Sequence, residues 1–351
     1  AGYSSTIMAA FTFGVIADVQ WADVDDGFSY DRTVRRCFRG ALQQLQAAAQ
    51  WWAAAGTPTF VAQMGDLIDG QNAALGKSEA ALDAALEALG RVDCPKLHLL
   101  GNHELYNFSR EELARRLGGP TFYYSMVPAA GFRVVVLDSF RESIILPGRG
   151  DNAAVRELTQ AEGFRNALVL LQANNPNDVL RGGDWLKGLH GTAQRFVPYN
   201  GGLGAAQLAW FRRELTAAVA AGERVLVLSH AILHPEACDG STLVFDYEPA
   251  LQAVASSGCV VAVLCGHAHG GHYHHDVATG VHHITFQSPL NKGADGTAYG
   301  RVAVHADRLV LTSPALADLL SPKALARGVL PQPRPAADGA SGESIELLFG
   351  W

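Results

Sequence analysis

Five short stretches of the chain end in residues that bind divalent cations. They are Asp18-Val19-Gln20, Gly65-Asp66-Leu67-Ile68-Asp69-Gly70, Gly101-Asn102-His103-Glu104, Ser229-His230 and Gly266-His267-Ala268-His269. Carboxylate, amide and imidazole together suit two cations sharing one carboxylate. Two such cations about 3.5–4 Å apart bind phosphate oxygens and ionise a water between them, which is the chemistry of phosphoester cleavage. Each stretch alone has a plainer explanation. A Gly-Asp after a strand is a turn, Gly-Asn-His-Glu can cap a helix, and a single His at a strand end is a satisfied core group. Gly-His-Ala-His says more, because two His at i and i+2 of an extended chain point the same way. All five in this order are better explained by a two-metal site.

The elements that must position these residues are legible as short apolar runs bounded by Gly and polar residues, the pattern of buried strands. Phe11 to Ala17 ends at Asp18, and Thr59 to Met64 ends at Gly65-Asp66. Lys96 to Leu100, Arg224 to Leu228 and Cys259 to Cys265 lead into Gly101, Ser229 and Gly266. In α/β sheets ligands gather beyond the carboxyl ends of the strands, so five strand ends bring five clusters to one edge. The glycines before Asp66, Asn102 and His267 are expected to let the backbone turn sharply.

This pattern resembles the calcineurin-like metallophosphoesterase superfamily, whose usual form is D-x-H, G-D-x-x-D, G-N-H-E, H and G-H-x-H. The resemblance implies a mixed α/β fold, a four-layer α-β-β-α sandwich. It implies that Asp18, Gln20 and His269 bind the first metal and that Asp66 bridges both. Asn102, His230 and His267 would complete the second. His103 would sit by the leaving-group oxygen as acid or phosphate clamp, with Asp66 the other catalytic residue. Asp69 would brace its loop and Glu104 would orient neighbours. Gln20 stands where the superfamily has His, and an amide oxygen is a harder donor, which favours Mn²⁺ or Mg²⁺ over Zn²⁺. The stretches 13–28, 174–177 and 196–210 look like the Mn²⁺-dependent ADP-ribose/CDP-alcohol diphosphatases, and the likeness runs from about residue 11 to about residue 312. It implies hydrolysis of the diphosphate bond of ADP-ribose or CDP-choline with two divalent ions per chain, Mn²⁺ preferred. The rivals are a cyclic-nucleotide phosphodiesterase or phosphomonoesterase of the same superfamily, and a catalytically inactive scaffold.

A hydrophobic content of 48% in 351 residues supports a large core, and a net charge of −7 argues against a general nucleic-acid or anionic-membrane binder. Cys37, Cys94, Cys238, Cys259 and Cys265 are odd in number and include no C-x-x-C pair, which points to a reducing, cytoplasmic compartment. No apolar run reaches the roughly 20 residues of a membrane span. Ala1 to Ala10 do not read as a signal peptide. The partner expected is a small nucleotide, and the state expected is a monomer.

Helices are expected over 29–55 with Ser29 as cap, over 78–92 with Ser78 as cap, after Ser109, and near 159–174, 205–221 and 248–257. Strands are expected at 121–126 and 132–137, and an antiparallel meander over 272–313. Residues 1–313 read as the catalytic domain, with 141–203 an irregular substrate-side insertion. Residues 314–351 read as a linker-like tail whose apolar end, Ile345 to Trp351, could dock. A base pocket needs an aromatic platform and a few polar groups. Tyr30, Phe196, Asn200 and Thr242 are the candidates, with Tyr106, Tyr199 and Phe245 beside them. His272, His274, His275, His282 and His283 read as exposed strand faces rather than extra ligands, and Asp23, Asp25 and Asp26 as a solvated acidic loop.

Overall fold

The strands expected to deliver the ligand stretches all form, and they form in two sheets. The computed structural model describes residues 8–119, 121–148, 153–336 and 341–349. The start of the Ala1–Ala10 stretch, residues 338–340 of the turn-rich C-terminal segment and Trp351 lie outside the described residues. In chain order the first half holds β1 (Phe11–Ile16), β2 (Gly27–Phe28), β3 (Arg35–Arg36), α1 (Phe38–Ala54), β4 (Phe60–Gln63), α2 (Gln71–Leu75), α3 (Ser78–Gly90) and β5 (Lys96–His98). Then come α4 (Asn102–Asn107), α5 (Arg110–Leu117), β6 (Tyr124–Ala129), β7 (Phe132–Leu137), α6 (Ala153–Leu158) and α7 (Glu162–Asn174). The second half holds α8 (Gly204–Ala221), β8 (Arg224–Ser229), α9 (Tyr247–Ser257), β9 (Val260–Cys265), β10 (Gly270–Asp276) and β11 (Val281–Gln287). It closes with β12 (Tyr299–Val304), β13 (Arg308–Ser313), α10 (Leu316–Leu319), α11 (Pro322–Ala326), β14 (Arg334–Pro335) and β15 (Glu343–Leu348).

A 7-stranded sheet runs β14-β15-β13-β12-β1-β4-β5, and a 6-stranded sheet runs β10-β11-β9-β8-β7-β6. β1, β4 and β5 are parallel, as are β7, β8, β9 and β11. Each sheet therefore gathers several carboxyl ends at one edge, where α/β proteins place their ligands. The sheets face each other across one core, in which Phe13 and Phe60 stack 4.9 Å apart among Leu226, Leu264, Phe286 and Leu311. Helices cover both outer faces. Trp52 of α1 lies so close over β1 that a Cβ on Gly14 would stand 2.7 Å from its ring, and its Nε1 donates to Gly300 O at 2.7 Å. On the other side α8 and α9 pack on β8 and β9, burying Leu208, Leu215 and Val254. With both faces covered, β1, β4, β8 and β9 are buried almost throughout. The four layers are those the resemblance implied.

Several expectations change. The first long helix begins at Phe38, not near Ser29, because residues 29–34 close on themselves. Ser29 Oγ and Thr33 N both donate to Asp31, and Arg32 takes a positive φ. Side chains that satisfy the local backbone compete with helix formation in this way. Ser78 opens α3 as its first residue, and its hydroxyl donates to Asn107 rather than to the helix N-terminus. The meander is divided, since β10 and β11 pair in one sheet and β12 and β13 in the other. The segment read as a linker-like tail supplies β15, which pairs along its length with β13, and it buries Leu330, Ile345, Leu347 and Phe349. Ile345→Ala should thus lower stability by about 2–5 kcal/mol, the range for emptying a buried aliphatic site. Urea unfolding would measure it, and a change under about 0.5 kcal/mol, the range of surface substitutions, would show that the strand is dispensable.

His282 and His283 are buried rather than exposed. His282 bonds to Tyr273 and to Leu348 O, while His283 packs with His234 and His274. Asp23, Asp25 and Asp26 pair on the surface with Arg39, Lys77 and Arg35. Among the described residues, no helix is long and apolar enough to cross a membrane.

Candidate metal centre

Each ligand stretch starts where a parallel strand leaves its sheet, and the loops then bond to one another. Asp18 N donates to Gly65 O at 3.1 Å, Gln20 N to Asp66 O at 2.8 Å, and Gly266 N to His230 O at 3.0 Å. Glu104 spans two loops, its carboxylate accepting from Asp66 N, Leu67 N and Gly101 N. The backbone is strained here. Asp18, Gln20, Asp66 and His267 have φ of 52°, 47°, 56° and 68°. Left-handed conformations of non-glycine residues cost energy and concentrate at functional sites. Gly65 takes φ 102°, as a sharp turn requires, whereas Gly101 is extended. Gly101 answers a different need, because a Cβ there would lie 1.9 Å from Asp66 Oδ1.

Asp18, Asp66, His230 and His267 each offer one ligand atom, all within 4.8 Å of one another. All four side chains are buried. His230 Nδ1 stands 2.8 Å from Met64 O, a pure acceptor, so Nδ1 carries a proton and Nε2 is the nitrogen turned to the cluster. That Nε2 lies 3.5 Å from Asp66 Oδ2, 3.9 Å from Asp18 Oδ1 and 3.2 Å from His267 Nδ1. Asn102 Oδ1 is buried beside them with no hydrogen-bond partner. Converging buried carboxylates are costly unless positive charge, from protons or a cation, joins them. These residues therefore fit a divalent ion. His269 lies at the rim with Nε2 3.5 Å from Asp18 Oδ1. Gln20 differs from expectation in detail. Its Nε2 donates to Asp66 Oδ2 at 2.9 Å and its Oε1 faces Arg36, so ligation requires the amide to rotate.

The carboxylates also draw protons. Burial opposes charge on His230, but Asp66 and Asp18 outweigh it and push its pKa up to about 9. Burial likewise opposes ionisation of Asp66, while His230 and His103 hold its carboxyl well below the usual range. A divalent ion would meet the same demand for positive charge, taking the place of the proton on the His230 nitrogen that faces the cluster. His103 is a different case, since it opens on the cleft with its Nε2 4.0 Å from Asp66 Oδ2. Gly70 N points at its Nδ1 from 2.8 Å, and Asp69 Oδ2 lies 3.2 Å from the same atom.

Above the cluster lies a cavity of about 660 Å³, within the range of small-molecule sites. Tyr30, Tyr106, Tyr199 and Thr242 line it, and Tyr30 is 90% exposed at its mouth. Phe196 does not line it; the ring is buried between Phe245 and the guanidinium of Arg195. Asn200 does not face it either, being fully buried with Oδ1 2.7 Å from His267 Nε2. Thr242 presents little chemistry, since its hydroxyl is buried. Sequence reasoning missed Arg36, the one arginine or lysine lining the cavity among the described residues, 3.4 Å from Gln20 Oε1. Reading 29–55 as one helix hid it. The Asp31-centred turn residues were the available signal.

A family model of the calcineurin-like phosphoesterases matches residues 11–271. The Xenopus tropicalis manganese-dependent ADP-ribose/CDP-alcohol diphosphatase is 36% identical over 332 residues, covering 88% of this chain and 92% of that one. The Homo sapiens protein of the same name is 33% identical, covering 86% and 89%. A crystal structure of a dimetal phosphatase from Danio rerio superposes with a TM-score of 0.81 at 31% identity, covering 97% of this chain and 100% of that one.

Proposed function

The chain belongs to the calcineurin-like phosphoesterase family, and we propose that it hydrolyses the diphosphate bond of ADP-ribose and of CDP-alcohols such as CDP-choline, with two divalent ions, Mn²⁺ preferred. The observation that carries this reading is the convergence of Asp18, Asp66, His230 and His267 beneath a nucleotide-sized cavity. Asp18, Gln20 and His269 would hold one ion, Asn102, His230 and His267 the other, and Asp66 both. When bound, the ions supply Lewis acidity toward phosphate oxygens and activation of water. The rest is the work of side chains. Arg36 lies beside Gln20, where it can neutralise the phosphate that is not attacked. His103 keeps a proton on Nε2 for the departing oxygen. Tyr30 is free at the mouth to lie against a base. The five unpaired cysteines support a cytoplasmic location, and the net charge of −7 argues against a general nucleic-acid or anionic-membrane binder; the state proposed is a monomer.

The test is hydrolysis by chelator-stripped protein given back Mn²⁺ or Mg²⁺. ADP-ribose should yield AMP and ribose phosphate, and CDP-choline should yield CMP and phosphocholine. Activity should vanish without metal and be greater with Mn²⁺. Cleavage confined to cyclic AMP or an aryl phosphate, with metal bound, would replace this reading with another phosphoesterase activity.

A further inference from the structure

Resting on the two-ion reading above, we propose that Asn200 is a positioning residue. It locks His267 in the tautomer that turns Nδ1 to a divalent ion, and it ties that ligand to the substrate-side wall of the cleft. The first step concerns the amide itself. Asn200 Nδ2 lies 2.9 Å from Arg195 O and 2.7 Å from Ser241 O. Both partners are carbonyls, which only accept, so the amide nitrogen must sit on that side. Its oxygen is then fixed on the other side, 2.7 Å from His267 Nε2.

The second step passes from amide to ring. A carbonyl oxygen cannot donate, so His267 Nε2 must carry the proton. An imidazole that binds a cation does so as the neutral ring, which has only that one N–H. Its Nδ1 is therefore a lone pair, facing the cluster 3.2 Å from His230 Nε2. The rings of Phe140 and Tyr199, each with its centroid 6.1 Å away, flank the imidazole and restrict its rotation. Outer partners that fix a ligand's tautomer and orientation typically change metal affinity 10–100-fold when removed.

The same side chain joins two loops distant in sequence. Arg195 belongs to the insertion between α7 and α8, and Ser241 to the segment after β8 that lines the cavity with Asp239. Phe245 N, bonded to Gly201 O at 2.8 Å, continues the seam. Asn200 is thus the junction where the cavity wall meets a metal-ligand ring.

Two measurements test this. In metal-free wild-type protein, at a pH where the ring is neutral, long-range ¹H–¹⁵N spectra should show His267 protonated at Nε2 and bare at Nδ1, assigned by the signal lost in His267→Gln. A proton on Nδ1 would overturn the proposal, and this arm needs no Asn200 variant to fold. In Mn²⁺ titrations followed by the spin resonance of the free ion, Asn200→Ala should weaken one of two sites about 10–100-fold and spare the other. Unchanged affinity at both would also overturn it, while leaving the proposed hydrolysis standing. Failure of the wild type to bind Mn²⁺ at all would remove the two-ion reading and this one with it.

Discussion

Asp66→Asn is expected to lower kcat/KM about 10³-fold or more, roughly 4 kcal/mol of transition-state stabilisation. Protein recovered from Mn²⁺ should hold fewer than two ions per chain. The substitution keeps the side chain's volume and changes one oxygen to NH₂, so the effect reports charge rather than space. Asp66 Oδ1 accepts from His103 N at 2.8 Å, and Oδ2 from Gln20 Nε2 at 2.9 Å. An amide can keep one of these bonds but must turn a donor toward the other. It cannot swing aside, because Gly101 approaches so closely that even a Cβ there would collide with the carboxylate. The loop itself should persist, since Glu104 and the backbone bond from Gln20 N hold it without the Asp66 side chain. Native near-ultraviolet dichroism with lost metal and lost activity is the expected combination. Full activity in this variant would sink the shared-carboxylate mechanism.

The ligand stretches were readable because buried parallel strands announce themselves as apolar runs, and an α/β sheet leaves its chemistry at their carboxyl ends. Asp18, Asp66, His230 and His267 follow such runs directly, and the structure brings them together. Asn200, expected against the base, is buried behind His267 instead. It sits in an Asn/Gly-rich loop next to a plausible pocket, and nothing local reveals that its oxygen meets a ring 67 residues away. Arg36 was lost to helical periodicity extended too far toward the N-terminus, where Asp31 and its hydroxyl neighbours had already closed a turn. β15 was hidden for a related reason. Pro and Gly before it read as a linker, and a strand that pairs with β13 is specified by a partner outside its own segment rather than by its own composition. Local pattern therefore located the site, whereas long-range hydrogen bonds decided which neighbours serve it.

His103→Ala should leave Mn²⁺ binding intact and reduce kcat about 10²–10⁴-fold, the usual contribution of a positioned general acid. The ring is not part of the converging acceptor set. Its Nε2 faces the cleft, and two neighbours govern Nδ1. With Gly70 N–H directed at Nδ1, the neutral ring keeps its proton on Nε2. With Nδ1–H bonded to Asp69, the charged ring keeps a proton there as well. Both arrangements present N–H to a departing oxygen. Burial opposes the charged form, yet Asp66 and Asp69 outweigh it and push the pKa up to about 9. The charged ring is by far the stronger acid, so wild-type kcat should fall as pH rises through the His103 pKa. Ions bound at Asp66 offset the carboxylate that raises this value, which moves that limb below 9 in the loaded enzyme. The variant should lack the limb. The deficit should also depend on the leaving group. It should be large for ADP-ribose, whose departing phosphate gains from a proton, and small for a nitrophenyl ester of AMP, whose phenolate leaves unaided. Equal deficits for both substrates would show that His103 clamps phosphate rather than donates, and parallel loss of Mn²⁺ would make it a ligand.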